Sequence, residues 1–184
     1  MVQNQMQLTN GIQDIKGEYS MNEILFAAVD KTKDYKIPTK DDGNAGFDVY
    51  ASFEEDFVVI NPHETKLINT NIAYAIPKNY YFQVEERGST GSRGIKKSAG
   101  VLDQSYNGSI FVAITNCNNK PLLITKEEDT SALEEDYIVY PYKKAIAQIV
   151  LHKVDEFTAR EVDYSEILAI PTERGDGKLG SSGK

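Results

Sequence analysis

The chain has 184 residues, of which 40% are hydrophobic, and a formal net charge of -8 at pH 7. A chain of this length can bury the core of one domain, and it contains no apolar run long enough to cross a bilayer. The negative net charge argues against a surface that binds nucleic acid.

The first 20 residues lack the basic start and the apolar centre of a secretory signal peptide. We expect residues 1–20 to form a poorly ordered extension. The single cysteine, Cys117, cannot form an internal disulfide and suits a reducing cytoplasm. The two histidines, His63 and His152, lack the spacing of metal ligands, which favours surface or packing roles.

Short segments rich in branched and aromatic residues recur along the rest of the chain. The strands predicted from them are 24–29, 57–60, 67–76, 80–84, 110–115, 121–125, 137–140 and 146–152. Turn residues separate most of these segments. Many short strands without helical periodicity predict a β-sandwich or a distorted barrel.

An aspartate and a tyrosine lie between two apolar runs in the segment 100–114. Asn107 and Gly108 are typical of a tight turn, so the pattern predicts a small hairpin with Asp103 and Tyr106 at its mouth. Such a hairpin can present main-chain groups to a small planar ligand, while a carboxylate beside it acts as a base.

Positive charge is concentrated in the windows 87–97 and 174–184. Their charged residues are Arg87, Arg93, Lys96, Lys97, Arg174, Lys178 and Lys184, with Asp176 as the only acid. If folding or assembly brings the two windows together, they form a pocket for a polyanion of triphosphate size. The segment 127–136 has the opposite character and is interpreted as a solvated acidic loop or, alternatively, as an insertion that binds a protein partner.

Five short blocks resemble, in the same order, those of the trimeric dUTP pyrophosphatases (dUTPases). They are AGFDVYAS (45–52), ERGSTGSRGI (86–95), the segment 100–114, AIAQIVL (145–151) and RGDGKLGSSG (174–183). The resemblance implies an all-β subunit over 21–170, a distorted jelly roll or β-barrel, assembled as a homotrimer with active sites at subunit interfaces. It also implies that 171–184 form a mobile arm, which closes over a neighbouring subunit's site.

The resemblance further implies hydrolysis of dUTP to dUMP and pyrophosphate, with Asp103 activating the water that attacks the α-phosphorus. Tyr106 would lie under the deoxyribose and exclude a ribose 2'-hydroxyl. Main-chain groups near Gly100 and Ile110 would recognise uracil. Mg²⁺ would bridge the phosphates and be held through substrate oxygens and water, without metal ligands from the protein.

Further residues are implied in binding the triphosphate and the nucleotide. The resemblance implies phosphate contacts from Arg87, Gly88, Ser89 and Gln148. The contacts it implies from the arm are Arg174, Lys178, Leu179, Gly180 and Ser181. Asp48 is interpreted either as a group that orients these ligands or as a structural hydrogen-bonding residue.

The chain departs from the family pattern at several positions. Gly88 replaces a usual serine, Ala145 an arginine, Lys178 a glycine, and Leu179 the aromatic residue that stacks on uracil. We expect a divergent but active enzyme. Two alternatives stay open. One is an enzyme similar to dCTP deaminase, which would carry a glutamate in place of Asp103, and the other is a non-catalytic protein of this fold that senses nucleotides or binds a partner.

Overall fold

The computed structural model describes residues 23–172, which form twelve strands and two short helices. The strands are β1 (Leu25–Ala28), β2 (Gly46–Tyr50), β3 (Phe57–Ile60), β4 (Thr65–Asn69), β5 (Ile72–Ala75), β6 (Tyr80–Glu85), β7 (Ile95–Lys97), β8 (Val101–Asp103), β9 (Phe111–Asn116), β10 (Leu122–Thr125), β11 (Ile138–Pro141) and β12 (Ala145–Lys153). The helices are α1 (Gly88–Gly91) and α2 (Tyr164–Leu168). This almost purely β architecture confirms the predicted fold class.

The described strands form four small sheets. Their strand orders are β1-β5, β11-β10-β3, β2-β12-β6-β8 and β4-β9-β7. Among the described strands, only β10 and β11 pair in parallel, because the acidic segment between them returns the chain to the same end of the sheet. The sheet β2-β12-β6-β8 matters most for function, since four of the five sequence blocks lie on its strands or on the loops beside them.

Alternating side chains from the sheets form one hydrophobic core. On β6, Phe82 and Val84 are fully buried while their neighbours along the strand are partly exposed, as the two-residue period of a strand requires. Ile149 on β12 and Ile110 before β9 are also fully buried in this core. The core therefore fixes β6 between β12 and β8, and with it the loops at both ends of this sheet.

Seven of the eight predicted strands are observed with ends that differ by no more than one residue. The prediction of one strand over 67–76 is wrong, because the chain breaks there into β4 and β5. Asn71 has a φ of 57° at the break, a conformation that asparagine tolerates better than most residues. Its side-chain amide donates to the carbonyl of Asp30 at 2.8 Å. A turn stabilised by a contact so distant in sequence leaves no local signal.

The predicted hairpin at Asn107 and Gly108 is also wrong. β8 pairs with β6, whereas β9 pairs with β4 and β7, so the two strands belong to different sheets. The tight turn lies earlier, where the N–H of Tyr106 donates to the carbonyl of Asp103 at 3.1 Å. Directly before β9, Ile110 contacts a third sheet, because its N–H donates to the carbonyl of Ile72 on β5 at 2.7 Å.

A second compact unit begins at Asp155. It contains α2 and an ion pair between Arg160 and Glu166 at 3.0 Å. The predicted β domain, 21–170, therefore runs past the last strand, which ends at Lys153. Residues 1–20, predicted to be an extension, and all but the first two residues of the predicted arm lie outside the described residues. Within residues 23–172 the helices are too short to span a membrane.

Candidate active site

Arg87 lies two residues after the end of β6 and is held by two acceptors on neighbouring strands. Its Nε donates to Asp48 Oδ1 on β2 at 2.9 Å, and its Nη1 donates to the carbonyl of Ala145 on β12 at 3.4 Å. Both side chains of the ion pair are about one-third exposed, at 32% and 29%. The guanidinium is therefore oriented within the subunit while it still faces solvent.

The carbonyl of Ala145 has a second donor. The hydroxyl of Tyr140 donates to it at 2.5 Å, and the tyrosine is only 3% exposed. Burial raises the pKa of Tyr140 above its ordinary value, against the opposing effect of Arg87. The phenol therefore remains protonated at neutral pH and helps to fix the acceptor that Arg87 uses.

Gln148 lies beside this arginine because of the register of β12. It pairs with Asp48 on one side and with Glu85 on the other, and its side-chain amide donates to the carbonyl of Glu86 at 3.0 Å. The structure thus brings Arg87, Gln148 and Asp48 together at one end of the sheet. The ion pair is compatible with an orienting role for Asp48.

The short helix α1, which begins directly after Arg87, presents Gly88 and Ser89 to solvent. Thr90 in the same helix is 1% exposed and bonds to Arg87. Its hydroxyl accepts from the N–H of Arg87 at 3.2 Å and donates to the carbonyl of the same residue at 3.0 Å. Sequence reasoning did not identify Thr90, because the usual capping signal has serine or threonine at the N-cap, where this chain has Arg87.

Asp103 is the last residue of β8, and its side chain is exposed. Within residues 23–172, no hydrogen bond or ion pair reaches its carboxylate, whereas its main-chain carbonyl accepts the turn-closing bond from Tyr106. The hydroxyl of Tyr106 donates to the carbonyl of Ser109 at 2.7 Å, and this residue is 41% exposed. The turn therefore offers a carboxylate that can bind water and an aromatic ring beside it.

Tyr74 on β5 supports this turn from within the protein. Its hydroxyl donates to the carbonyl of Asp103 at 2.6 Å. Burial, followed by the negative charge of Asp103 and then by Tyr106, raises the pKa of Tyr74 well above its ordinary value. Sequence reasoning missed this residue, and the only local signal was a tyrosine in the otherwise aliphatic strand IAYA.

Some of the main-chain groups expected to recognise uracil already make hydrogen bonds within the subunit. Ile110 donates its N–H to Ile72, and its carbonyl accepts from both the N–H and the hydroxyl of Thr70. The carbonyl of Gly100 accepts from the N–H of Val84 at 2.7 Å. A Cβ at Gly100 would lie 2.8 Å from Gln83 Nε2, which can move, and 3.0 Å from the main-chain oxygen of Val84, so a side chain here would require small shifts of its neighbours.

The two groups of site residues lie at opposite ends of the same sheet. Asp103 is opposite Tyr81 on β6, whereas Gln148 is opposite Glu85. Four residues along a strand correspond to roughly 13 Å, and β8 and β12 flank β6 on opposite sides, so the separation is on the order of 15 Å. One subunit therefore does not bring Asp103 to Arg87 and Gln148.

Sequence comparison gives the same family as the five blocks. A sequence model described as dUTPase matches residues 33–129. A deoxyuridine 5'-triphosphate nucleotidohydrolase of Wolbachia pipientis from Culex pipiens is 32% identical over 144 residues, which are 77% of this chain and 82% of that protein. The chain belongs to the dUTPase family. A Candida albicans nucleotidohydrolase of the same name is 32% identical over 151 residues, covering 81% of this dUTPase and 82% of the relative.

Solved structures agree with the fold of this dUTPase. A dUTPase of Staphylococcus bacteriophage 80alpha with dUpNHpp has a TM-score of 0.67 and 21% identity, over 88% of this chain and 99% of that one. A dUTPase mutant from phage phi11 of S. aureus, whose structure is described with a structural Mg(II) ion, has a TM-score of 0.60 and 18% identity, over 77% and 97% of the two chains.

Other expected site residues are not described. Arg174, Lys178, Leu179, Gly180 and Ser181 lie outside residues 23–172. Within those residues, no three histidine, cysteine or acidic side chains are grouped so that they could hold a metal ion.

Proposed function

We propose that this dUTPase hydrolyses dUTP to dUMP and pyrophosphate by attack of water on the α-phosphorus. Family membership and the exposed, unpaired carboxylate of Asp103 at the end of β8 support this reaction. In the cell, the activity would limit uracil incorporation into DNA and supply dUMP for dTMP synthesis. The exposed free thiol of Cys117 suits a reducing compartment such as the cytoplasm.

In this mechanism Asp103 is the catalytic residue. Its carboxylate accepts a proton from water as the water oxygen bonds to the α-phosphorus, and the bond from that phosphorus to the bridging oxygen breaks to release pyrophosphate. A carboxylate needs correct position more than unusual basicity for this task.

Tyr106 and the main chain around it account for substrate choice. The ring of Tyr106 would fill the space that a ribose 2'-hydroxyl needs, which excludes ribonucleotides by steric contact. We propose that main-chain groups of the segment from Gly100 to Ile110 pair with uracil. Because both groups of Ile110 are bonded within the subunit, its contribution is to hold the segment while neighbouring groups face the base.

We propose that the triphosphate binds at the other end of the sheet. Arg87 and Ser89 would contact phosphate oxygens, while Gly88 allows the main chain to approach closely, since no atom lies within 4 Å of a Cβ placed there. Gln148 would add a side-chain donor. Asp48 would orient Arg87 through the 2.9 Å ion pair.

The arm and Mg²⁺ would complete the site. We propose that Arg174 reaches the phosphates, and that small residues of the arm, Gly180 and Ser181, cover the nucleotide together with Lys178 and Leu179. Closure would exclude water from the bond that breaks. Mg²⁺ would be held by phosphate oxygens of the substrate and by water, the ligands that it prefers, and when bound it would neutralise charge on the phosphates.

We propose that the enzyme is a homotrimer with active sites between subunits. The separation of Asp103 from Arg87 supports this, because a second copy can place its own turn against the phosphate-binding end. Leu67 on β4 and Phe111 on β9, on the same face of their sheet, are 68% and 45% exposed. Large apolar side chains on one face are suited to contact between protein copies.

The acidic segment 127–136 remains a proposed site for a protein partner. It is anchored at both ends, since Lys143 Nζ lies 2.6 Å from Glu128 Oε1 and Lys120 Nζ donates to the carbonyl of Glu134 at 2.6 Å. An anchored loop presents its remaining carboxylates in a limited set of positions, which a basic partner could recognise.

The reaction is tested by incubating the purified protein with Mg²⁺ and dUTP, dCTP, dTTP or UTP, and measuring pyrophosphate and ammonia separately. We expect pyrophosphate from dUTP alone. Ammonia from dCTP would instead identify a deaminase. No product from any nucleotide, with binding retained, would favour the nucleotide-sensing protein.

A further inference from the structure

Tyr74 is a buried side chain that none of the five sequence blocks contains. It is 4% exposed, and its hydroxyl donates to the carbonyl of Asp103 at 2.6 Å across 29 positions of sequence. The bond joins β5, in one sheet, to the end of β8 in another. The exposed turn is therefore connected to the hydrophobic core at the residue that carries the proposed base.

The carbonyl of Asp103 accepts two hydrogen bonds, from the Tyr74 hydroxyl at 2.6 Å and from the Tyr106 N–H at 3.1 Å. The bond from Tyr74 is the shorter of the two and comes from a buried donor. Fixing this carbonyl restrains the peptide plane after Asp103, and with it the direction of the Cα–Cβ bond that carries the carboxylate. Without Tyr74, only the longer bond would close the turn.

The ring of Tyr74 also supports the second residue of the site. Its centroid lies 6.4 Å from that of Tyr106, and 5.4 Å from that of Phe82 in an edge-on arrangement. Such contacts hold a partly exposed ring in a restricted set of orientations. Since its raised pKa keeps the phenol of Tyr74 protonated at neutral pH, the hydroxyl can donate its hydrogen bond there.

We propose that Tyr74 is a positioning residue for the dUTPase reaction, which orients the Asp103 carboxylate and the Tyr106 ring without contacting the substrate. The inference rests on the proposed function. The carboxylate of Asp103 has no bonding partner within residues 23–172. The bond from Tyr74 to the main-chain carbonyl explains how such a short turn can hold a catalytic geometry.

Tyr74→Phe tests the inference, because it keeps the ring and removes one hydroxyl. For the full-length protein with dUTP and Mg²⁺, we expect kcat to fall about three- to tenfold, the effect of one lost hydrogen bond. KM should change by less than about twofold, since phosphate contacts at the other end of the sheet are unaffected. Tyr50→Phe is the matched control, because Tyr50 is 9% exposed and its hydroxyl bonds with Thr39 at 2.8 Å, away from the turn.

A double-mutant cycle separates positioning from a general loss of stability. In an Asp103→Asn background, Tyr74→Phe should not lower the residual kcat further, because its effect passes through the carboxylate. An equal kcat for wild type and Tyr74→Phe, an equal loss in Tyr50→Phe, or a further loss in the Asp103→Asn background would overturn the inference alone. A wild-type protein that releases no pyrophosphate from dUTP would overturn the proposed function together with the inference.

Discussion

Asp103 combines exposure of its carboxylate with a main-chain carbonyl that is held firmly in place. The carbonyl accepts bonds from Tyr74 and Tyr106, whereas no hydrogen bond or ion pair within residues 23–172 reaches the carboxylate. A side chain with this arrangement contributes little to folding and is free to bind water. A substitution of Asp103 should therefore impair catalysis without lowering the stability of the protein.

Asp103→Asn should lower kcat by roughly 10²–10⁴-fold, the usual contribution of a general base. Because asparagine preserves the size of the side chain, KM for dUTP should change only a few-fold, and the melting temperature should match that of the wild type. Steady-state kinetics and a thermal melt at one protein concentration test this. A variant that retains more than about one-tenth of the wild-type kcat would assign the base to another residue.

Tyr106→Ala should weaken discrimination against UTP. The substitution removes the ring proposed to exclude the 2'-hydroxyl, so the ratio of kcat/KM for dUTP to that for UTP should fall by about tenfold or more. Tyr106→Phe keeps the ring and loses only the bond to Ser109, so it should retain most of the discrimination. Equal ratios in the wild type and the alanine variant would show that sugar selection lies elsewhere.

Among the elements of the fold, β9 ends at a residue that joins several others. Asn116 is fully buried, and its side-chain amide donates to the carbonyls of Ile60, Asn61 and Lys120 at 2.9 to 3.3 Å. Its side-chain oxygen accepts from the N–H of Asn118 at 3.1 Å. The ends of β3, β9 and the segment before β10 are thus connected through one side chain.

Asn116→Ala should destabilise the protein by roughly 2–4 kcal/mol, because several main-chain carbonyls lose a buried donor. For a chain of this size, the melting temperature should fall by about 5–15 °C. Asn61→Ala is the control, since that side chain is exposed and a surface change of this kind costs less than about 0.5 kcal/mol. Equal melting temperatures for both variants would contradict the prediction.

Strand positions were predictable from sequence wherever alternation and flanking turn residues agreed. Residues 57–60 show this, since the predicted and observed strands coincide. Strand partners were not predictable, because the pairing of β8 with β6 and of β9 with β4 depends on contacts distant in sequence. The hairpin prediction failed for this reason.

The site residues likewise divide into those that the sequence predicted and those that only the structure identified. Arg87, Gln148 and Asp48 were selected from separate blocks, and the structure places them side by side at one end of a sheet. Tyr74 and Thr90 were missed, because a tyrosine in a strand and a threonine in a single helical turn show their roles only when the chain has folded. Sequence blocks identified groups that face solvent, while the buried groups that orient them required the structure.

At the scale of the whole molecule, opposite charges are separated. The net charge is -8, yet the proposed phosphate-binding end carries Arg87, and the predicted arm carries Arg174. The surrounding acidic surface, including 127–136, disfavours nonspecific binding of long polyanions such as nucleic acid. Local positive charge within an acidic protein suits a small triphosphate.

The separation of Asp103 from Arg87 within one subunit makes a prediction about assembly. Asp103→Asn and Arg87→Ala should each be inactive alone, because each removes one half of every site. In a mixed trimer, an Arg87→Ala subunit can supply Asp103 to a neighbour that supplies Arg87. For random assembly from equal amounts, roughly a quarter of the sites would be intact.

The two variants should therefore be unfolded, mixed and refolded together, and pyrophosphate release from dUTP compared with that of each variant refolded alone. Recovery of about a quarter of the wild-type kcat would place the base and the phosphate-binding arginine on different subunits. Mixing the same two variants without unfolding is the control, since intact trimers that do not exchange subunits recover nothing. No recovery after refolding together, in a mixture that does form trimers, would contradict the shared site, because both groups would then have to act within one chain.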